Sequence, residues 1–257
     1  SNDTGEVSVK TVCLIPCRYH STRFEGKPLV EILGKPMVRH VYERVLRARG
    51  VSFAAVVTDD ERIAGAVRSF GGEVILTGGH HRSGTDRLAE AAEILALDKE
   101  DIVVNVQGDQ PTVHPRQVEE VVAPLVADPD LPFSTLIYPI HRDEEIFHPN
   151  VVKVVFDGRG NALYFSRAPI PFVRDRRRKG RYFKHHGVYA YRKAFLETFS
   201  KLPESPLESF ESLEQLRALE NGYPLRVVES AFDSIEVDTA EDLKAVEAFL
   251  MKEGDGP

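Results

Sequence analysis

Between Thr11 and Val126 the chain alternates short apolar runs with amphipathic stretches, and few folds accept that alternation. TVCLIP, FAAVVT, EVILT and DIVVNV are runs of strand length. KPMVRHVYERVLRARG, DDERIAGAVRSFGG, TDRLAEAAEILAL and RQVEEVVAPLV keep their apolar residues on one side at helical spacing. Pro36 suits a first helical turn, Gly50 a stop, and Asp59 and Asp60 an N-cap. Apolar strands joined by helices pair in parallel through right-handed crossovers, with both sheet faces covered. The expected fold is therefore α/β, with a mostly parallel, Rossmann-like sheet.

The pattern changes near Leu131. PFSTLIYPI, NVVKVVFD, NALYFSR and GVYAYR read as strands with fewer helices between them, and DGRGN as a hairpin turn. Residues 131–205 are thus expected to form an antiparallel extension or subdomain, set between a nucleotide-binding part at 11–130 and a return to it at 206–252. That return comprises a helix ESLEQLRALEN, a strand LRVVES and a helix TAEDLKAVEAFLM. Residues 1–10 and 253–257 read as disordered tails. SNDTGEVSVK lacks the basic start and apolar core of a signal peptide. No apolar stretch approaches the roughly eighteen residues of a membrane span, so no membrane insertion is expected. RDRRRKGR, Arg174 to Arg181, reads as a mobile solvated loop. A formal net charge of −7 argues against nucleic acid as a partner.

The two cysteines, Cys13 and Cys17, cannot complete a structural zinc site. Cys13 reads as a core residue, and Cys17 follows the strand, where its backbone is placed to meet a ligand. Neither is expected to be a nucleophile, and free thiols suggest a reducing compartment.

Parallel sheets bind ligands at the carboxyl ends of their strands, and four polar loops leave such ends here. RYHSTRFEGK holds Arg18, Arg23 and Lys27, with Gly26 open to close backbone approach. It matches neither a dinucleotide fingerprint nor a P-loop. Three cations there suit a triphosphate, although a solvated surface loop has the same composition. In VQGDQP, Asp109 stands at a strand end, where a lone carboxylate suits Mg²⁺ with phosphate oxygens or caps the following helix. Asp238, in IEVDTAEDL, is a second candidate that equally suits a helix cap. Alternation in KHHGVYAYR puts His185, Gly187 and Tyr189 on one face, making His185 the site histidine and His186 a packing residue.

IPCRYHSTRFEGKPL, TDDERI, RSGTDRLAE, VNVQGDQP, ALYFSRAPIP, KHHGVYAYR, LESFESLEQLRALENG and FDSIEVDTAEDL occur in the order and spacing of one family. From Val12 to Leu250 the chain resembles the 3-deoxy-manno-octulosonate cytidylyltransferases, or CMP-Kdo synthetases. The resemblance implies a nucleotide-diphospho-sugar transferase sheet and an enzyme that joins CTP and the keto-sugar acid Kdo, with Mg²⁺, for lipopolysaccharide synthesis. It also implies a cytoplasmic homodimer, with Tyr164, Phe165 and Phe172 suggested as its exposed face. By resemblance, Arg18, Ser21, Arg23 and Lys27 hold the triphosphate. Pro16, Cys17, Arg82, Ser83 and Gly84 surround the cytosine. Gln107 and Asp109 lie by the ribose and α-phosphate, with Asp109 and Asp238 as metal ligands. Arg167, His185, Tyr189, Glu214 and Gln215 line the sugar-acid pocket, with Arg167 pairing the sugar carboxylate.

Two positions depart from the family pattern. Glu25 replaces the usual proline before the loop glycine, and the basic 174–181 run is an insertion close to the expected sugar pocket. The alternative substrates are 8-amino-Kdo or another keto-sugar acid. A metal-dependent GT-A-type glycosyltransferase and a non-catalytic nucleotide-sensing module are the other classes the residues permit.

Overall fold

The computed structural model describes residues 8–254. β1 (Thr11–Pro16) leads through the cationic loop and a one-turn 3-10 helix to a small hairpin, β2 (Glu31–Ile32) and β3 (Lys35–Pro36). α1 (Met37–Val45), β4 (Phe53–Thr58), α2 (Glu61–Ser69), β5 (Val74–Leu76), α3 (Gly84–Ile94), β6 (Ile102–Asn105) and α4 (Pro115–Ala127) follow as the alternation requires. Asp60 caps α2 by accepting from the backbone N–H groups of Arg62 and Ile63.

The second half runs β7 (Phe133–Pro139), α5 (Asp143–Phe147), β8 (Lys153–Phe156), β9 (Ala162–Ser166) and β10 (Phe183–Arg192). It ends with α6 (Lys193–Lys201), α7 (Pro206–Glu211), α8 (Gln215–Glu220), β11 (Leu225–Glu229) and α9 (Ala240–Gly254). The helix expected over ESLEQLRALEN is shorter, α8 starting only at Gln215, because Ser212 takes a left-handed φ of 52° and ends α7 at Glu211.

One sheet unites both halves, in the order β11-β7-β10-β6-β1-β4-β5. β6, β1, β4 and β5 are parallel, as are β11 and β7, while β10 runs antiparallel to both β6 and β7. β8 and β9 continue antiparallel from β10. The DGRGN turn joins them, with Asp157 Oδ1 accepting from the N–H groups of Arg159 and Asn161.

Apolar side chains fill both faces. Leu14, Leu88, Phe133 and Phe199 lie on one face, and Ile15, Val41, Val104 and Leu125 on the other. A smaller cluster matters for the site: Val246 of α9 and Val237 before it pack on Ile32 and Met37. Glu253, expected in a disordered tail, belongs to α9 and pairs with Arg44 at 2.8 Å. At the other end, the N–H of Lys10 donates to Asp101 Oδ1 (2.8 Å). The rest of the expected tails, 1–7 and 255–257, lies outside the described residues.

Candidate active site

Strand order decides where the site forms. β1 lies between β4 and β6, so the chain leaves β1 toward one edge and later returns on the other side. That switch point opens a crevice at the carboxyl ends of β1 and β6. There the N–H of Gly108 points at Pro16 O (3.4 Å), laying the QGD loop beside the cationic loop. Gly108 has to be glycine, since a Cβ would collide with Cys17 Sγ. Gly26 takes a left-handed φ of 69° against the Tyr19 ring.

A cavity of ≈340 Å³ fills the crevice. Pro16, Cys17, Arg18, Ser21 and Lys27 line it from the first loop. Arg82, Ser83 and Gly84 line it from the start of α3, and Gln107 and Asp109 from the QGD loop. Ser83 caps α3 through the N–H of Asp86 (3.2 Å), so the positive end of an 11-residue helix faces the space. Arg23 lines the larger neighbouring cleft and not this cavity. Cys17 lines the cavity with its N–H donating to Val57 O (2.9 Å), and burial pushes both thiols up and keeps them inert. Glu25 is exposed, 3.2 Å from His20, and lines neither space.

Three carboxylates meet where the two spaces adjoin. One oxygen each from Asp109, Glu236 and Asp238 lies within 4.8 Å of the others. The fold brings them together because the N–H of Val237 donates to Asp109 O (2.9 Å). Lys27 Nζ ties the same two strands of chain, donating to Asp109 Oδ2 (2.9 Å) and to Val237 O (2.8 Å). Neither aspartate is a helix cap. α4 is capped by His114, and Asp242 accepts the N–H groups of Asp238 and Thr239 at the start of α9.

Burial raises the Asp109 carboxyl above its usual range despite Lys27, and Asp238 adds to the rise. Burial, followed by repulsion from Asp109 and Asp238, pushes Glu236 up to about 8. Asp109 Oδ1 is buried without a hydrogen-bond partner among the described residues. Three crowded carboxylates against one lysine, with an orphaned oxygen, make a donor set that fits a hard divalent cation.

The neighbouring cleft holds ≈1100 Å³. Glu236 and Asp238 line it, with His185, Tyr189, Glu214 and Gln215 further along. Glu214 Oε2 accepts from Thr85 Oγ1 (3.0 Å). Asn105 Oδ1, Glu214 Oε1 and Gln215 Nε2 are buried and unpartnered among the described residues, two acceptors and one donor on residues that line the cleft. Burial raises the Glu214 carboxyl and pushes His185 down to about 3.

Arg167 lines the cleft but differs from expectation. Its guanidinium donates to the carbonyls of Glu211 (2.6 Å), Pro149 (3.0 Å) and Ser212 (3.2 Å), so the fork meant for a sugar carboxylate already binds three carbonyls from two segments. Arg23 makes no ion pair among the described residues. The basic run lies apart from both spaces, with Arg177 on Asp175 (3.0 Å) and Arg181 near Glu229 (3.6 Å).

Glu236, Asn105 and Arg87 are site residues that reading the sequence missed. Glu236 sits two residues before Asp238 in IEVD, and that spacing was its available signal. Arg87 follows Ser83 by one helical turn, lines the smaller cavity and donates to Thr77 Oγ1 (2.7 Å). Asn105 looks like any polar residue ending an apolar strand.

Residues 12–244 match the family model described as cytidylyltransferase. A 3-deoxy-manno-octulosonate cytidylyltransferase of Syntrophus aciditrophicus (strain SB) is 62% identical over 242 residues, 94% of this chain and 98% of that protein. An 8-amino-3,8-dideoxy-manno-octulosonate cytidylyltransferase of Shewanella piezotolerans (strain WP3 / JCM 13877) is 51% identical over 238 residues, 92% of this chain and 97% of that one. A solved structure of CMP:2-keto-3-deoxy-manno-octonic acid synthetase complexed with CTP superposes with a TM-score of 0.89. It is 47% identical and covers 95% of this chain and 99% of its own.

Proposed function

The chain belongs to the 3-deoxy-manno-octulosonate cytidylyltransferase family, and on that footing we propose that it is a nucleotidyltransferase joining CTP to Kdo, giving CMP-Kdo and pyrophosphate for lipopolysaccharide synthesis. One observation carries this reading: two cavities share Gln107 and Gly84, and Asp109, Glu236 and Asp238 stand at their junction. A nucleotide in the smaller space and a sugar acid in the larger would bring α-phosphate and anomeric hydroxyl together there.

The anomeric hydroxyl attacks the α-phosphorus in line. The bond from α-phosphorus to the bridging oxygen breaks, pyrophosphate departs and the hydroxyl proton passes to water. The protein's part is positioning and charge neutralisation, and no covalent nucleophile is required. Arg18, Ser21 and Lys27 grip the outer phosphates, and Lys27 with Arg18 takes up charge developing on pyrophosphate. Pro16, Cys17, Arg82, Ser83 and Gly84 enclose the cytosine, and Gln107 reaches the ribose. Arg23 supplies the positive charge a sugar carboxylate requires, in the place first given to Arg167. His185, Tyr189, Glu214 and Gln215 meet the sugar hydroxyls. Held by Asp109, Glu236 and Asp238, Mg²⁺ would polarise the α-phosphate and lower the pKa of the attacking hydroxyl.

Among the described residues no helix is long and apolar enough to cross a membrane. CTP as substrate and two unpaired thiols support the cytoplasm as its place of work. We also infer a homodimer, formed about the exposed edge of β9. The deciding assay follows pyrophosphate from CTP and Kdo with Mg²⁺. Controls are other nucleoside triphosphates, nucleotide sugars and, because one relative is named for it, 8-amino-Kdo. Release that needs CTP and Kdo together supports the reading, and silence with Kdo but release with the 8-amino analogue reassigns the acceptor.

A further inference from the structure

β7 and β10 pair antiparallel except at one place. The register passes from His186↔Leu136 to Tyr189↔Thr135, which leaves Gly187 and Val188 bulged. Bulges re-aim the groups beside them. Thr135 lies under this one, fully buried. Its Oγ1 is 2.8 Å from Val188 O, 3.3 Å from His186 O and 2.8 Å from His185 Nε2.

A threonine hydroxyl has a single proton to donate, and carbonyl oxygens only accept. Two oxygens 2.8 Å apart without a proton between them repel, so the hydroxyl proton lies toward the bulged backbone. His185 Nε2 must then carry its own proton and donate it to Oγ1.

The geometry points to Thr135 as a positioning residue: it fixes His185 as the Nε2–H tautomer and leaves Nδ1 as a hydrogen-bond acceptor for a hydroxyl of the cleft's occupant. The occupant's identity rests on the sugar-acid reading above, while the tautomer does not. Phe165 and Tyr189 hold the ring edge-to-face at 5.1 and 5.4 Å, so it cannot turn freely to take Nε2 away from Thr135. Burial keeps the ring neutral and denies it a second donor. An acceptor at this point repels a carboxylate and welcomes a hydroxyl. It orients the sugar acid with its carboxylate away from His185, toward the Arg23 side of the same cleft.

The test is ¹⁵N-histidine NMR on the ligand-free protein, with the His185 signals assigned by their loss in His185→Gln. The expected spectrum has a protonated Nε2 and a bare Nδ1 that stay unchanged between about pH 6 and 8. Thr135→Val removes the hydroxyl at nearly constant shape. It is expected to populate the Nδ1–H form and to raise the sugar-acid KM about tenfold with the CTP KM unchanged. Thr135→Ser keeps the hydroxyl and restores both, and with the wild-type spectrum it decides the matter even if the valine variant fails to fold. A wild-type ring protonated on Nδ1, or a tautomer unmoved in Thr135→Val, overturns the assignment. A shifted tautomer with an unaltered sugar-acid KM overturns the acceptor role. If the tautomer is as stated but the wild-type enzyme transfers nothing to Kdo or its 8-amino analogue, the substrate reading is what fails.

Discussion

Asp109 has one oxygen held by Lys27 and the other buried without a partner among the described residues. That asymmetry makes it the most informative position to change. Asp109→Asn keeps shape and the backbone bond to Val237, so folding should survive, but a neutral amide loses the charge that a cation needs. Pyrophosphate release should fall about a hundredfold or more, and release at the wild-type rate would remove Asp109 from the metal assignment. His185 yields a second prediction. Folded, its pKa is pushed down to about 3 from 6.5, so the unfolded chain binds the extra proton first. Its contribution to stability is complete above pH 6.5 and drains away as pH falls toward 3. Urea titrations at pH 7.5 and 5 should show wild-type protein losing up to about 2 kcal/mol more than His185→Gln, at most about 1.4 kcal/mol per pH unit. Equal losses in both proteins would mean that His185 titrates normally.

At the scale of elements, α9 is a tether for the site. Asp238 and Glu236 reach Asp109 because Val237 and Val246 are locked into the small cluster with Ile32 and Met37. Val246→Asp puts an unpaired charge in that cluster, at a cost of several kcal/mol if α9 stays docked. Undocking is the cheaper outcome, so α9 amides should exchange faster while the main sheet keeps its protection and activity falls more than about tenfold. Full activity with a freely exchanging α9 would show that the tether is dispensable. The same element marks the limit of what sequence discloses. The parallel half was legible because its strands are apolar runs and its helices carry clear periodicity. α5 was missed, having only five residues, too few for any period to register. α6 was missed because Lys193 follows β10 directly, with no turn residue to announce a change. IEVD read as strand-like, yet Val237 bonds to the QGD loop and not to a sheet neighbour, so its glutamate drew no notice. Asp109 and Asp238 were legible because each stands beside an apolar stretch where a carboxylate needs a reason. The occupation of Arg167 by three carbonyls depends on loops far apart in the chain, which no local pattern encodes.

For the whole molecule, the open question is what covers its apolar surface. Among the described residues β9 pairs only with β8 along its length, so the sheet ends there with an edge that no described strand covers. Leu163 on that strand is 61% exposed, Phe172 just beyond it 88%, and Phe210 of α7 83%. α7 belongs to the same region, since Glu211 accepts from Tyr164 and Ser166. Phe165, suggested as part of an exposed face, is instead fully buried against His185. Leu163 lies on that edge strand, α7 with Phe210 packs beside it, and Phe172 follows β9 in the chain, an exposed apolar set that suits an interface. A second copy applied about a twofold axis would cover them, and a stable pairing needs roughly 800 Å² from each partner. Light scattering during gel filtration should therefore give twice the chain mass. Leu163→Asp and Phe172→Asp, made together, should give the single-chain mass with the far-UV spectrum intact, because neither side chain belongs to the core. A wild-type protein of single-chain mass at micromolar concentration would leave these residues solvated and refute the dimer.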